Sequence, residues 1–340
     1  MDSLMRAGTA ETCRAMTPTV TNVNNASIIT GVYPEAHGIS ANSYYDPATG
    51  VEVFMDSPSF LNHPTWLEAE ASRGRRTLLI TVKDKLLRLL SRGATDSFSA
   101  ERPPGWIVEE IGEPPSIYSS EVNTWILKAA CHVLREGAWD VVYISTTDYV
   151  PHKYPPESPE ATDYMSQLDE GLERLFELDI ALGLVADHGM NRKRVNLDPV
   201  MLLGEEGIEA RLLATIRDEH PVHHMNLGGS AYLYLRGGLE RAREILASAK
   251  GVEMALTRSE AAAGFRLPAG RIGDLLVLAD VDYTLGRNSR SIYEDVEIRS
   301  HGSLHEAEVP LISSLRLEPA GEAYNKDLFS RLTSSLRIPR

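Results

Sequence analysis

Residues 141–152 read VVYISTTDYVPH, and this stretch decides the fold class. Its first five residues, Val141–Ser145, are apolar and mostly β-branched, as is typical of a buried strand. Asp148 and His152 follow within seven residues of the end of this run. The stretch therefore predicts a strand that is closely followed by two polar side chains with a possible functional role.

A second stretch repeats this order. Ile180–Ala186 is an apolar run, and Asp187 and His188 come directly after it. Ligand sites in open α/β sheets lie beyond the carboxyl ends of the strands. Two strands that both end in an acid and a histidine therefore predict a parallel sheet with a functional site at one edge.

Further apolar runs bounded by turn residues alternate with amphipathic segments, which is typical of βαβ units around a parallel sheet. Apolar residues at helical spacing predict helices at Val122–Glu136 and Glu160–Glu177. The additional predicted strands of the core are Leu78–Val82 and Val309–Ile312. We therefore expect an α/β fold with a mostly parallel central sheet flanked by helices.

The pattern changes between residues 196 and 294, where short strands, turns and one clear helix follow each other. Ala231–Tyr234 and Leu275–Ala279 are predicted strands, and Leu239–Ser248 is the predicted helix. We interpret this segment as an inserted α+β cap lobe. Residues 1–195 and 295–340 would then form the catalytic core.

Residues 1–16 read MDSLMRAGTAETCRAM, which is more typical of the last turns of a helix than of a strand. No strand is visible ahead of Thr21, whereas an α/β sheet usually begins with a buried strand. We therefore expect the first strand of the sheet to be missing from this sequence.

Composition limits the classes of function. The 340 residues include 34 basic and 48 acidic side chains, a formal net charge of −14 that disfavours nucleic acid and anionic membrane surfaces as partners. The two cysteines are too few for a disulfide scaffold. No apolar run reaches the roughly 18 residues that a membrane helix needs. These features predict a cytoplasmic protein that does not bind nucleic acid or membranes.

Five residues form a candidate metal set, because imidazole nitrogens and carboxylate oxygens suit Zn²⁺ or a similar divalent ion. A structural alternative is that the aspartates cap helices and the histidines lie on the surface. Their clustering at strand ends favours metal binding. The set comprises Asp148, His152, Asp187, His188 and, in the segment RSHG, His301.

Two further features indicate an anion site. Thr21 lies at the predicted start of a helix, where backbone amides and the helix dipole favour an anion, although a plain capping role is the alternative. Lys83 and Lys85 follow the strand Leu78–Val82 and are a candidate anion receptor. Solvated lysines that open a helix are the alternative there.

The chain carries, in this order, the motifs TPTVTNVNNASIITGVYPEAHGI, TVKDKL, FSAE, YISTTDYVPHKY, VADHGM, VHH, RIGDLLVLAD and RSHGSL. From about Met1 to Ser314 they resemble the phosphonoacetate hydrolases of the alkaline phosphatase superfamily. The lysines of TVKDKL, with TNVNN and RSHG, distinguish this family from the wider superfamily. The resemblance implies an alkaline-phosphatase-like core with a cap lobe, and zinc-dependent hydrolysis of the carbon–phosphorus bond of phosphonoacetate to acetate and phosphate.

The resemblance also implies a role for individual residues. Thr21 would be the nucleophile that forms a phosphothreonine intermediate, and Asn42 would hold a phosphonate oxygen. Lys83 and Lys85 would hold the charges of the substrate, and His301 would lie beside it. The implied substrate is a small phosphonate.

Two Zn²⁺ ions are implied, with Mn²⁺ or Fe²⁺ as alternatives. One would be bound by Asp148, His152 and His301. The other would be bound by Asp187 and His188 with the Thr21 oxygen and a further aspartate, which the family carries at the end of its first strand.

That further aspartate is absent from this sequence. Asp2 is no substitute, because it falls in the helical segment ahead of Thr21. We therefore expect the second ion to bind weakly, and an edge of the neighbouring strand to be exposed.

Other interpretations stay open at this stage. A related phosphodiesterase or nucleotide pyrophosphatase would lack the paired lysines, and an inactive remnant would bind metal or an anion without catalysis. His220, His223 and His224 are assigned a supporting or lobe-interface role, with another metal cluster as the alternative. A homodimer is also left open.

Overall fold

The computed structural model describes residues 1–137, 139–218, 225–287 and 290–337. The helices are α1 Asp2–Ala7, α2 Thr21–Thr30, α3 Pro34–His37, α4 Trp66–Ala71, α5 Asp84–Leu90, α6 Gly105–Ile111, α7 Glu121–Glu136, α8 Tyr149–Lys153, α9 Pro159–Phe176, α10 Pro199–Glu205, α11 Leu239–Ser248, α12 Arg258–Phe265 and α13 Leu328–Arg337.

The strands are β1 Thr9–Arg14, β2 Ser43–Asp46, β3 Val51–Phe54, β4 Thr77–Thr81, β5 Asp96–Ser99, β6 Val141–Ser145, β7 Gly183–Val185, β8 Asn191–Leu197, β9 Ala210–Ala214, β10 Ser230–Leu235, β11 Val252–Thr257, β12 Leu275–Ala279, β13 Tyr283–Leu285, β14 Tyr293–Ser300 and β15 Glu308–Ser313. The expected α/β class is confirmed.

A parallel sheet of three strands carries the first half of the site. Its order is β5-β4-β6, and β4 pairs in parallel with both neighbours. Every residue of β4 is buried, as its apolar sequence TLLIT requires. The predicted strand Val141–Ser145 agrees with β6 residue for residue, and α7 and α9 cover one face of the sheet.

A second sheet, of order β1-β15-β7, is antiparallel and carries the other half of the site. The predicted strand at Ile180–Ala186 is present but shorter, since β7 comprises only Gly183–Val185.

The expectation of no strand ahead of Thr21 is wrong. Residues Thr9–Arg14 form β1, which pairs along its whole length with β15. The sequence TAETCR hides this strand because Cys13 is its one fully buried side chain and polar residues alternate around it. An edge position tolerates such a pattern. Asp2 lies in α1, as expected, and is exposed.

Residues 196–294 contain a four-stranded antiparallel sheet of order β11-β12-β10-β9. The strand at Leu275–Ala279 and the helix at Leu239–Ser248 agree with the prediction. Strands β8 and β14 pair with each other, and the expected limits of the lobe, residues 196 and 294, fall within these two strands. The division into a core and a cap lobe stays a prediction.

A long cavity separates the two sheets that carry the site. Its volume is about 970 Å³, and residues of both β6 and β7 line it. Among the described residues β6 pairs only with β4 and β7 only with β15, so each strand presents one unpaired edge. None of the helices described here is long and apolar enough to cross a membrane.

A buried ion pair fixes the loop that follows β14. Lys193 Nζ lies 2.9 Å from Glu306 Oε1, and both side chains are fully buried. Glu306 Oε2 accepts hydrogen bonds from the backbone N–H and the hydroxyl of Ser303. The carbonyl of Ser303 in turn accepts one from the Thr19 hydroxyl. The pair therefore links the loop around residue 301 to the segment ahead of Thr21.

The substitution Glu306→Gln tests this link. It leaves the Lys193 ammonium buried without its counter-charge, and breaking a buried ion pair in this way typically costs about 3 to 5 kcal/mol of stability. We expect urea unfolding to show a loss of that order. Glu297→Gln, which removes an exposed ion pair to Arg192, is the matched control and should leave the midpoint unchanged. Equal losses of stability in both variants would contradict the structural role of the Lys193–Glu306 ion pair.

Candidate active site

Three side chains converge at the carboxyl end of β6. Asp148 caps the start of α8, His152 follows one turn later, and His301 lies in the turn after β14. One ligand atom from each lies within 4.8 Å of the others. Gly302 makes this turn with φ of +119°, and a Cβ there would lie 3.0 Å from the backbone nitrogen of Gly229. The glycine of RSHG is therefore required by close backbone packing.

The ring orientation of each histidine is fixed by its Nδ1 atom. His152 Nδ1 lies 2.8 Å from the carbonyl oxygen of Arg299, and His301 Nδ1 lies 2.7 Å from that of Thr19. Only an N–H can bond to a carbonyl, so Nδ1 carries the proton and Nε2 keeps its lone pair in each neutral ring. Metal-ligating histidines are typically held in this way.

The charges of this cluster also suit a cation. Burial, with His188 and His152 nearby, holds the pKa of His301 well below its usual range, so its ring is neutral. Burial alone would raise the pKa of Asp148, but its close contact with His152, with His188 and Lys83 nearby, holds it well below its usual range. Asp148 Oδ2 is buried and accepts no hydrogen bond from the described residues, although His152 Nε2 lies 3.1 Å away. A buried carboxylate oxygen without a hydrogen bond fits a divalent ion.

A second group lies beside the first, at the end of β7. His188 Nε2 is 3.1 Å from the Thr21 hydroxyl and 3.5 Å from Asp187 Oδ2, and its Nδ1 faces the carbonyl oxygen of Gly189 at 3.0 Å. The rings of His188 and His301 stack with centroids 3.5 Å apart. Burial, and then the charge of Asp148, raise the pKa of Asp187 above its usual value. A cation between these groups would offset that repulsion.

Thr21 is the first residue of α2, as predicted from the sequence. Its hydroxyl therefore lies at the amino end of a ten-residue helix, where unpaired backbone amides favour an anion. Gly31, with φ of 71°, ends the helix.

Asn25 and Tyr143 are site residues that the sequence did not reveal. Asn25 Nδ2 donates to Asp187 Oδ2 and to the carbonyl of Thr21, each at 3.1 Å, and its Oδ1 accepts from the Tyr143 hydroxyl at 2.6 Å. The spacing of four residues between Thr21 and Asn25 places both on one helix face, which is the signal that could have identified the asparagine.

Two amides face the same pocket without protein partners. Asn42 Oδ1 and Asn22 Nδ2 are both buried and make no hydrogen bond with the described residues. Asn42 was predicted to hold an anion oxygen, whereas Asn22 was not singled out. The unpaired Nδ2 of Asn22 can donate to an oxygen of a tetrahedral anion, whereas the unpaired Oδ1 of Asn42 is an acceptor, so Asn42 would have to donate through its Nδ2.

The lysine pair lines the same pocket, at the start of α5. Lys85 Nζ lies 2.5 Å from Asp218 Oδ1 and 5.8 Å from the centre of the Phe54 ring. Asp218 therefore offsets the unfavourable placement of a cation at a helix amino end. The sequence could not identify this partner, because 133 residues separate it from Lys85.

The structure brings all nine predicted site residues to the walls of one cavity, and with them Asn22, Asn25, Tyr143 and Asp218. His220, His223 and His224 lie outside the described residues. The lining residues include Thr21, Asn22, Asn25, Asn42, Lys83, Lys85, Asp148, His152, Asp187, His188, Asp218 and His301.

Comparison with known proteins decides the family. Residues 1–304 match the type I phosphodiesterase / nucleotide pyrophosphatase family. The chain belongs to this family. This match confirms the expectation that the chain belongs to a family of hydrolases in the alkaline phosphatase superfamily.

Solved structures give a finer likeness. Phosphonoacetate hydrolase from Sinorhizobium meliloti 1021, in complex with phosphonoacetate, superimposes with a TM-score of 0.92 at 33% identity over 98% of this chain and 89% of that one. Murine ectonucleotide pyrophosphatase / phosphodiesterase 5 gives a TM-score of 0.70 at 16% identity over 99% of this chain and 89% of that one, a likeness of fold alone.

Curated relatives match in sequence over part of their length. A pyrophosphatase/phosphodiesterase of Schizosaccharomyces pombe is 27% identical over 191 residues, which are 51% of this chain and 36% of the relative. Venom phosphodiesterase of Macrovipera lebetinus is 29% identical over 209 residues, 58% of this chain and 23% of the relative. The chain thus spans about a third or less of these two family members.

Removal of the Asp148 carboxylate tests the metal site directly. We expect Asp148→Asn to lower Zn²⁺ affinity by more than the roughly 10- to 100-fold that loss of an outer hydrogen-bond partner costs at metal sites. Competition with a chromophoric chelator measures this without any assay of activity. His132→Ala, in α7, is the control and should keep the affinity of the parent. Unchanged binding by Asp148→Asn would remove Asp148 from the ligand set.

Proposed function

We propose that this protein hydrolyses the carbon–phosphorus bond of phosphonoacetate to acetate and phosphate, with zinc as its metal. One observation carries the proposal: Lys83 and Lys85 line the same cavity as Thr21, in a chain that matches a phosphonoacetate hydrolase over nearly its whole length. The lysines supply the positive charge that the carboxylate of a carboxylated phosphonate needs, whereas a phosphodiester has no such carboxylate. A cytoplasmic location is part of the proposal, supported by two buried free cysteines.

The metal ligands follow from the two groups of side chains. Asp148, His152 and His301 would hold one ion, and Asp187 and His188 would hold a second beside Thr21. A bound Zn²⁺ supplies Lewis acidity and favours the ionised forms of oxygen nucleophiles. Mn²⁺ and Fe²⁺ have overlapping ligand preferences and stay alternatives.

Thr21 is proposed as the nucleophile. Its hydroxyl would release its proton to solvent while the oxygen forms a bond to phosphorus and the phosphorus–carbon bond breaks, and the electron pair of that bond would stay on the departing carbon. The carbon takes a proton from water and leaves as acetate. Hydrolysis of the resulting phosphothreonine then releases phosphate and restores the hydroxyl.

The remaining residues would stabilise charge. The unpaired Nδ2 of Asn22 and the side-chain amide nitrogen of Asn42 would donate hydrogen bonds to the phosphoryl oxygens, and the amino end of α2 would add a favourable field. Lys83 and Lys85 would bind the carboxylate, onto whose oxygens the charge of the departing carbon spreads. The substrate carboxylate would take the place that Asp218 holds beside Lys85.

A related phosphodiesterase is the second candidate, and the family match supports it. An inactive remnant that binds metal or an anion without catalysis is the third candidate.

Lys85→Ala separates the first two candidates. Loss of one charge-assisted hydrogen bond typically costs about 1.5 to 3 kcal/mol, so kcat/KM for phosphonoacetate should fall about 10- to 100-fold. Lys250→Ala, an exposed lysine of the segment 196–294, is the matched control and should change nothing. Turnover of bis(p-nitrophenyl) phosphate that is high in the parent and unaffected by Lys85→Ala would favour the phosphodiesterase.

The covalent step has its own test. Acid quenching during turnover of phosphonoacetate should trap phosphate on the peptide that contains Thr21, which mass spectrometry can locate. Thr21→Ala should give no labelled peptide, and Thr124→Ala, on the exposed face of α7, should label as the parent does. Label on any other residue, or turnover by Thr21→Ala, would contradict the mechanism.

A further inference from the structure

The arginine of the RSHG motif has no role in the proposed reaction. Arg299 is the last residue but one of β14, two positions ahead of His301, and its side chain is half-buried. The cavity that holds the site is lined by Pro151 and His301 but not by Arg299. Arg299 therefore lies outside the space that a substrate would fill.

The guanidinium of Arg299 bonds to both segments that carry candidate metal ligands. Its Nε donates to the carbonyl of Pro151 at 2.7 Å, and its Nη2 donates to the carbonyl of Met190 at 3.3 Å. Pro151 lies in α8 directly ahead of His152, and Met190 follows His188 by two residues. One planar group thus joins the first metal group to the second. The first comprises Asp148, His152 and His301, and the second comprises Asp187 and His188.

The carbonyl of Pro151 needs this donor, because its own helix cannot supply one. Helix α8 ends at Lys153, and the residue that would donate to Pro151 in a longer helix is Pro155, which has no N–H. Backbone carbonyls in protein interiors are almost always paired. Arg299 Nε–H pairs this one and thereby fixes the part of α8 that carries His152.

The main chain of Arg299 holds the same helix a second time. Its carbonyl oxygen lies 2.8 Å from Nδ1 of His152, the contact that fixes the orientation of this ring. His188 lies two residues from the Met190 carbonyl, and His301 lies two residues from Arg299 itself. Every histidine of the site is therefore within two residues of Arg299 or of a group that Arg299 bonds.

Electrostatics do not account for an arginine at this position. Burial lowers the pKa of the Arg299 guanidinium below its usual value, and the charge of Glu157 offsets this only in part. An arginine nevertheless stays protonated in proteins, so its charge lies behind a site suited to cations, which it repels. A lysine would supply the same charge, but only the guanidinium offers several donors in one rigid plane. The placement is thus explained by geometry.

We propose that Arg299 is a positioning residue that holds the two metal groups at a fixed separation. Its guanidinium fixes the Pro151 carbonyl relative to the Met190 carbonyl, and its own carbonyl fixes the ring of His152. Two-metal sites typically hold their ions about 3.5 to 4 Å apart. The role of Arg299 rests on the proposed function for the pair of ions, but not for the substrate.

Zinc binding by Arg299→Met tests the proposal without any assay of activity. Methionine has a similar length but no donor, and loss of an outer hydrogen-bond partner typically lowers metal affinity about 10- to 100-fold. We expect a loss of that size in competition with a chromophoric chelator. Arg299→Lys, which keeps the charge but not the planar group, should lose nearly as much.

Arg271 provides a matched control. It is also half-buried, and its Nη1 donates to the carbonyls of Gly38 and Phe60, each at 2.8 Å, but it does not line the cavity. We expect Arg271→Met to lower the midpoint of urea unfolding about as much as Arg299→Met does. Its Zn²⁺ affinity should stay at the parent value. Circular dichroism establishes that each variant folds.

The separation of the ions can be measured with Mn²⁺ at saturation. Two Mn²⁺ ions that are held close together give a spin-coupled electron paramagnetic resonance spectrum, which a merely structural role of Arg299 would leave unchanged. We expect the coupled spectrum from the parent and from Arg271→Met. At equal Mn²⁺ occupancy, Arg299→Met should give the spectrum of isolated ions.

Three results would overturn the proposal. The first is an Arg299→Met variant with the Zn²⁺ affinity and the coupled Mn²⁺ spectrum of the parent. The second is an equal loss of Zn²⁺ affinity in Arg271→Met, which would make the effect one of general stability. The third is full recovery in Arg299→Lys, which would assign the effect to charge. A parent that binds both ions but leaves phosphonoacetate intact would instead contradict the proposed substrate and leave the role of Arg299 standing.

Discussion

The site depends on one repeated interaction, the hydrogen bond from a histidine Nδ1–H to a backbone carbonyl. His152, His188 and His301 each make it, to the carbonyls of Arg299, Gly189 and Thr19. Each bond fixes the tautomer, so that Nε2 keeps the lone pair with which a ring can bind a ligand. Backbone carbonyls from loops that are far apart in sequence thus determine which ring nitrogen of each histidine can bind a ligand.

These bonds also tie the site to the core. The carbonyl that orients His301 belongs to Thr19, whose hydroxyl accepts from the N–H of Gly302 and donates to the carbonyl of Ser303. The buried ion pair between Glu306 and Lys193 stabilises the same turn, because Glu306 Oε2 accepts a hydrogen bond from the Ser303 hydroxyl. The positions of these side chains therefore follow from a connected set of buried polar contacts, and such networks are rigid when every member is satisfied.

Much of this arrangement could be predicted from the sequence, because strands that end in reactive residues are local patterns. The segments VVYISTTD and LVADHG carry their strand and their ligands within ten residues or so, and Thr21 lies beside its own helix start. Strand β1 was missed because only one of its side chains is fully buried. Asp218 was missed because its contact with Lys85 depends on tertiary structure.

The pocket differs in charge from the rest of the molecule. The chain carries a net charge of −14, yet Lys83 and Lys85 face the cavity beside the amino end of α2. Together with two cations held by the aspartates and histidines, this pocket would attract a small anion that the overall charge repels. Asp218 Oδ1 lies 2.5 Å from Lys85 Nζ and balances the charge of this lysine.

The most direct test of the proposed function is phosphorus nuclear magnetic resonance of the parent protein with Zn²⁺ and phosphonoacetate. The account predicts that the phosphonate signal is replaced by that of inorganic phosphate, with an equal amount of acetate formed. A phosphonate signal that persists while the same sample consumes bis(p-nitrophenyl) phosphate would contradict it.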